Sequence, residues 1–249
     1  MKNYNYRKIK DSFIAFFHCI FMNITYHFIS RNKTLKDAFE SVSIPTDLIE
    51  KRKYRMNINL RYWKFHIKKA GFIEVMNWEG FTADVNTLSD IEVFKSVFMN
   101  GVRWEDTKYY TKFFNRLDKK GTGRTNTKTW EDYKNKHLLR WVHLYRAIKD
   151  HGYKTQFELN QKVCPPKEIE VAISKDGDII FIDGRHRLAI VKILNIEIIP
   201  VIINSVDPRI LHTLNLDPRK TTPKMLMDAL MKYKHHTSTI SDEKENNHD

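Results

Sequence analysis

Residues 168–203 constrain the fold more than any other part of the chain. Glu168-Ile-Glu-Val-Ala-Ile-Ser174 alternates apolar and polar as a strand does. Lys175-Asp-Gly-Asp178 follows and predicts a two-residue hairpin turn, because Asp-Gly tolerates the positive φ of a type I′ turn. Ile179-Ile-Phe-Ile182 is then the return strand. Asp183-Gly-Arg-His-Arg187 is a junction, Leu188 to Asn195 a helix, and Ile196-Glu-Ile-Ile-Pro-Val-Ile-Ile203 a strand apolar enough to be buried on both faces. Two strands, a helix and a third strand thus follow one another within a short stretch.

The rest of the chain reads mostly as helix. Residues 34–56 predict a helix broken at Pro45, with Thr34 as N-cap and Leu35, Ala38, Phe39 and Val42 on one face. Residues 57–78 are ambiguous, since Trp63, Phe65 and Ile67 alternate but the flanking charges do not. Leu88–Phe98 and the aromatic stretch Trp104–Leu117 are predicted helices, with Tyr109, Tyr110, Phe113 and Phe114 as core. Trp130 to Asp150 is amphipathic through Leu138, Trp141, Leu144, Tyr145 and Ile148, and stops at His151-Gly152. A helix from Pro223 to Tyr233 carries proline at its start, and the polar tail from His236 reads as disordered. The expected organisation is a mostly helical basic region over 1–128, a mixed domain over 129–206, a helical extension over 207–235 and the tail.

Charge is concentrated at one end. Of 43 Lys and Arg against 30 Asp and Glu, residues 1–70 hold 15 basic and only 5 acidic side chains. That segment would draw nucleic acid or an anionic membrane surface. Its apolar stretch from Phe13 to Met22 is too short for a span of about 20 residues, and no small-residue cleavage site follows it. It reads either as a helix packed on the domain or as an interfacial helix. Tyr62 and Trp63 would stack on bases if the partner were nucleic acid. Two cysteines, Cys19 and Cys164, make no disulfide framework, which places the chain in a reducing compartment. The expected location is the cytoplasm, free or peripheral at the inner face of the membrane.

Two loops hold phosphate-binding residue types. In Asp118-Lys-Lys-Gly-Thr-Gly-Arg-Thr-Asn-Thr127, the pair Gly121 and Gly123 with Lys119, Lys120 and Arg124 either cradles a phosphate or is a solvated loop; neither glycine-rich nucleotide motif is complete. The junction 183–187 is more pointed. The first N–H groups of a helix lack intrahelical partners and sit at the positive end of the macrodipole, so they suit an anion. Gly184 lets backbone approach closely, and Arg185 and Arg187 can clamp phosphate oxygens. His186 can donate to a phosphate or move a proton near neutral pH. Asp183 can hold Mg²⁺ or cap the helix.

On these residues the chain resembles the ParB/sulfiredoxin fold. The likeness covers residues 138–203, about a quarter of the chain: the helix ending Ala147-Ile-Lys-Asp-His-Gly152, the hairpin, Phe181-Ile-Asp-Gly-Arg-His-Arg-Leu-Ala189 and Ile199-Pro-Val-Ile-Ile203. Arg185 stands where sulfiredoxins present their cysteine, and neither the Gly-x-Arg-Arg motif nor the downstream helix-turn-helix of partitioning ParB proteins is present. The junction is similar to the Asp-Gly-His-His-Arg signature of free serine kinases of that fold. The resemblance implies an α+β fold and a kinase taking ATP or ADP, with CTP as an alternative donor, together with Mg²⁺. The acceptor would be a hydroxyl of a small molecule or glycan. It further implies that Asp183 organises the metal, that Gly184, His186 and Arg187 (with Arg185 beside them) hold phosphates, and that an upstream carboxylate, Glu131 or Asp132, activates the hydroxyl. A nucleic-acid-binding protein or ParB-like nuclease, and a nucleotide-binding switch without transfer, are the rival expectations.

Overall fold

The computed structural model describes residues 35–37, 40–53, 72–73, 82–123, 126–156, 158–159 and 168–245, without side chains at 72–73 and beyond 236. The expectations for Thr34, Ala38 and Phe39, the Phe13 segment, Tyr62, Trp63, Phe65 and Ile67, Arg124 and both cysteines lie outside the described residues.

The fold is α+β. Seven strands form one mixed sheet: β1 (Val42–Pro45), β2 (Lys51–Lys53), β3 (Phe72–Ile73), β4 (Thr82–Asp84), β5 (Ile169–Ile173), β6 (Ile179–Asp183) and β7 (Ile198–Val206). Across the sheet the order is β1-β7-β5-β6-β2-β4, with β3 also paired to β7. The β5–β6 and β2–β4 pairs are antiparallel, and β5–β7, β2–β6 and β3–β7 are parallel.

Over the described residues 35–37 and 40–53 the helix expected across 34–56 is not formed. Val42-Ser-Ile-Pro45 is a strand whose alternate residues, Val42 and Ile44, are buried while Ser43 is exposed, and Lys51–Lys53 is a second strand between β6 and β4. The three-residue apolar spacing of a helix was overridden by β-branched residues that gain more from the sheet. The described part of the N-terminal region therefore supplies strands up to Asp84, a 3-10 turn at Val85–Thr87 and then α-helix from Ser89.

β5 also departs from simple alternation. All five of its residues are buried, because β5 lies in the middle of the sheet between β6 and β7. The turn after it is not type I′. Gly177 takes the positive φ (+80°) but Asp176 does not. Gly177 N donates to Ser174 O at 3.1 Å and Ser174 N to Asp178 O at 3.0 Å, so the loop is one residue longer, with glycine alone at the left-handed position. Ser174 Oγ accepts from Asp178 N at 2.9 Å and fixes that shape.

The helices are α1 (Ser89–Phe94, continued by a π-helical turn through Met99), α2 (Lys108–Lys120), α3 (Trp130–Tyr133), α4 (Leu139–His151), α5 (Arg185–Ile193), α6 (Pro208–Thr213) and α7 (Pro223–Glu245). A π-helical turn, Lys134–Leu138, joins α3 to α4, so the predicted helix from Trp130 is one continuous rod. It starts at Thr129, whose side chain accepts from Asp132 N at 3.1 Å, and ends at Gly152 with φ +74°. α7 runs on past His236, where the sequence alone suggests a disordered tail.

The chain divides into two compact units: one of 1–85, 155–183 and 200–249, the other of 86–154 and 184–199. These boundaries differ from a split at residue 128. The first unit holds the sheet with α6 and α7. Its core is aliphatic, with Ile169, Val171, Ile173, Ile179, Ile180, Val201 and Ile203 among its buried residues. The second unit is helical and its core is aromatic: Phe94, Tyr109, Phe113, Tyr133, Trp141 and Tyr145 pack with Ala189 and Ile190 of α5. Phe98 stacks on Tyr145 at 4.3 Å, and Phe94 meets Trp104 edge-on at 6.2 Å. Each such pair contributes about 1 kcal/mol beyond its buried area.

Candidate phosphate-binding junction

Asp183 ends β6 in the first unit, and Gly184 begins the next segment in the second. Each side is built differently.

On the sheet side, two register shifts occur at one level. Val171 pairs with Phe181, yet Glu170 pairs with Asp183, so Ile182 is an extra residue on β6. Val171 pairs with Ile203 and Ala172 with Ser205, so Asn204 is an extra residue on β7. A bulge re-aims the side chains beside it. Here it sets the exposed Asp183 across from the buried Glu170 and lets Asn204 Nδ2 donate to Glu170 Oε2 at 3.0 Å. Like charges directly opposite across a strand pair repel. Among the described residues no group of three or more His, Cys, Asp or Glu side chains is close enough to hold a metal ion. A metal here would take Asp183 and Glu170 from the protein and its remaining ligands from elsewhere.

On the helical side, Gly184 is the N-cap of α5 in the left-handed conformation, φ +93° and ψ 23°, with no side-chain capping bond. Glycine reaches that region without the cost a Cβ adds. α5 starts at Arg185, three residues earlier than its expected start at Leu188, so Arg185, His186 and Arg187 form its first turn. Three cation-capable side chains thus stand where the macrodipole is already positive, an arrangement that calls for a negative partner.

Part of that partner is internal. Asp90, on α1, is buried, and its Oδ2 lies 3.6 Å from Arg185 Nε while its Oδ1 lies 3.6 Å from His186 Nε2. Tyr109 Oη donates to the same Oδ1. Burial, and then the adjoining Asp90 carboxylate, push the Tyr109 phenol above its ordinary range, so it stays a donor. The His186 ring stacks on Trp141 at 4.3 Å and faces Phe94 at 6.0 Å. Arg185 and His186 are thus drawn inward as well as outward, whereas the sequence suggested only an outward clamp.

Glu131 and Asp132 lie exposed in the first turn of α3, where Glu131 pairs with Lys134 at 3.2 Å and Asp132 with Lys136 at 4.0 Å. The other glycine-rich loop is explained by packing. Gly121 is the left-handed C-cap of α2, and Gly123 is buried so closely against Phe113 that a Cβ would meet the ring.

Four residues of the two clusters escaped the sequence reading. Asp90 passed as an ordinary helix-opening acid, Tyr109 and Trp141 as core, and Glu170 as one polar position of a strand. Among the described residues no helix is long and apolar enough to cross a membrane. No protein-family model, no curated protein and no solved structure matches this chain.

Proposed function

We propose that the chain is a Mg²⁺-dependent phosphotransferase that moves a phosphoryl group from ATP or ADP, or from CTP, to a hydroxyl of a small molecule or glycan. The observation that carries this reading is Gly184, a left-handed entry into a helix whose first turn is Arg185-His186-Arg187. The first-turn amides and Arg187 would seat phosphate oxygens, with Arg185 beside them. Asp183, with Glu170 opposite, would hold the Mg²⁺ that such a donor brings. The finer fold in this reading is ParB/sulfiredoxin-like. In its favour, the β5–β6 hairpin, α5 and a β7 parallel to β5 follow one another in that order.

In the reaction, the bond from the transferred phosphorus to the nucleotide's bridging oxygen breaks and a bond to the acceptor oxygen forms. The acceptor's proton passes to His186, and the departing nucleotide keeps the electron pair. Little covalent chemistry is required of the protein, so placement and charge neutralisation supply most of the rate. The pairing of Glu131 and Asp132 with lysines favours a second reading, nucleotide binding without transfer.

A thermal-shift panel of ATP, ADP, CTP and GTP with and without Mg²⁺, followed by single-turnover transfer of labelled phosphate, tests both. A bound nucleotide raises the melting temperature by mass action. Stabilisation with no transfer to any of a broad set of hydroxyl acceptors selects the second reading. No stabilisation by any nucleotide removes both.

A further inference from the structure

We propose that Asp90 is a positioning residue for the phosphotransfer assigned above: it holds the His186 imidazole with Nε2 turned inward, so that Nδ1 is the nitrogen that meets the acceptor. The inference rests on that functional reading for its chemistry and on the helical unit alone for its geometry.

A carboxylate buried like that of Asp90 needs compensation from its neighbours. Its Oδ1 accepts from Tyr109 Oη and faces His186 Nε2, and its Oδ2 faces Arg185 Nε. His186 Nε2 is itself buried, although the side chain as a whole is 21% exposed, so the exposure belongs to its other atoms. Stacking on Trp141 and Phe94 restricts rotation of the ring, and the facing carboxylate decides which edge points in.

A carboxylate opposite one imidazole nitrogen favours the proton on that nitrogen, which leaves the lone pair on the other. At 3.6 Å the Asp90–His186 pair is outside hydrogen-bond range, so the orientation is set in advance and the bond closes when ligand arrives. Arg185 on the second carboxylate oxygen and Tyr109 on the first hold the Asp90 carboxylate in place. The constellation is an acid that orients a histidine from behind, built from α1, α2 and α5.

Long-range ¹H–¹⁵N spectra of the full chain labelled at histidine, recorded above the ordinary histidine titration range, report which ring nitrogen carries the proton. The His186 signal is the one lost in His186→Gln. Wild type is expected as the Nε2–H tautomer, and Asp90→Asn, which presents an amide to Nε2, is expected to move the population toward Nδ1–H. In single-turnover transfer, Asp90→Asn is expected to lower the rate about 100-fold while nucleotide KM changes less than about threefold. A merely structural role would leave the tautomer alone and lower the melting temperature instead.

A wild-type His186 protonated on Nδ1 overturns the proposal, as does an unchanged tautomer ratio in Asp90→Asn. If Asp90→Asn does not fold, the wild-type tautomer still decides. Wild type without transfer but with the Nε2–H tautomer overturns the phosphotransferase reading and leaves the Asp90–His186 orientation standing.

Discussion

Asp183 stands directly across from Glu170 on the neighbouring strand, one carboxylate exposed and the other buried, with Asn204 bonded to the buried one at 3.0 Å. Two bulges, at Ile182 and Asn204, create this juxtaposition. In a regular ladder Glu170 would oppose Ile182 instead.

Neutralising Asp183 is expected to remove a ligand of the proposed metal site. Asp183→Asn should leave the unliganded melting temperature within about 2 °C of wild type or above it. It should also abolish the part of ATP stabilisation that depends on Mg²⁺. Differential scanning fluorimetry with and without EDTA checks both. A Mg²⁺-dependent shift that survives in the variant would remove Asp183 from the metal site.

Arg187 should matter for phosphate. Arg187→Ala is expected to weaken ATP binding about 10- to 100-fold, as loss of a charge-assisted pair does. Lys136→Ala, which removes only a surface partner of Asp132, should leave it unchanged. Isothermal titration calorimetry separates the two variants.

Glu105 makes an acid-sensitive contact. Hydrogen bonding from Trp130 Nε1 at 2.8 Å, then its own backbone and Lys134 at 3.2 Å, lower its pKa from 4.5 to about 2. A carboxylate depressed in the folded state adds stability above its unfolded pKa, and that stability is lost as pH falls through the folded value. The window is thus from pH 4.5 down to about 2. Because the side chain is 35% exposed, solvent screening limits the effect to about 1 kcal/mol. Urea midpoints near neutrality and near the lower end of the window should differ less in Trp130→Phe than in wild type.

Gly123 is held by contact, not by torsion. A Cβ there would lie 2.7 Å from Thr127 Oγ1 and against the Phe113 ring, and the backbone N–H already bonds Thr127 O at 2.7 Å. Gly123→Ala should cost about 1–3 kcal/mol, the usual penalty of overpacking. Gly101→Ala, where no atom crowds the added carbon, should cost only the strain of its φ of +70°. Denaturant unfolding compares them, and an unaltered stability in Gly123→Ala would mean the loop gives way.

Local signals in the chain were sufficient for much of this molecule. Repeating apolar spacing placed helices close to Ser89 and Trp130, whereas the one expected from Trp104 starts at Lys108, after a separate 3-10 turn at Trp104–Asp106. Gly152 ends its helix where capping rules put it. The hairpin, the helix after the junction and the last strand follow from alternation, from Asp-Gly and from an apolar run. Each depends on neighbours within a few residues, which is the range over which backbone sterics and side-chain periodicity operate.

What lies beyond that range came only from the folded chain. Val42–Pro45 is a strand because β7 offers an edge to it, an interaction that no local window contains. Ile182 and Asn204 are bulges because strands from three places in the chain must share one register. Asp90 has the sequence of a helix-opening acid, and its burial against Arg185 and His186 follows from how α1, α2 and α5 pack. The residues of the junction were legible because their chemistry is carried by five consecutive side chains. Their charge partners were not, because electrostatic pairing depends on distance through space, which the order of residues along the chain does not record.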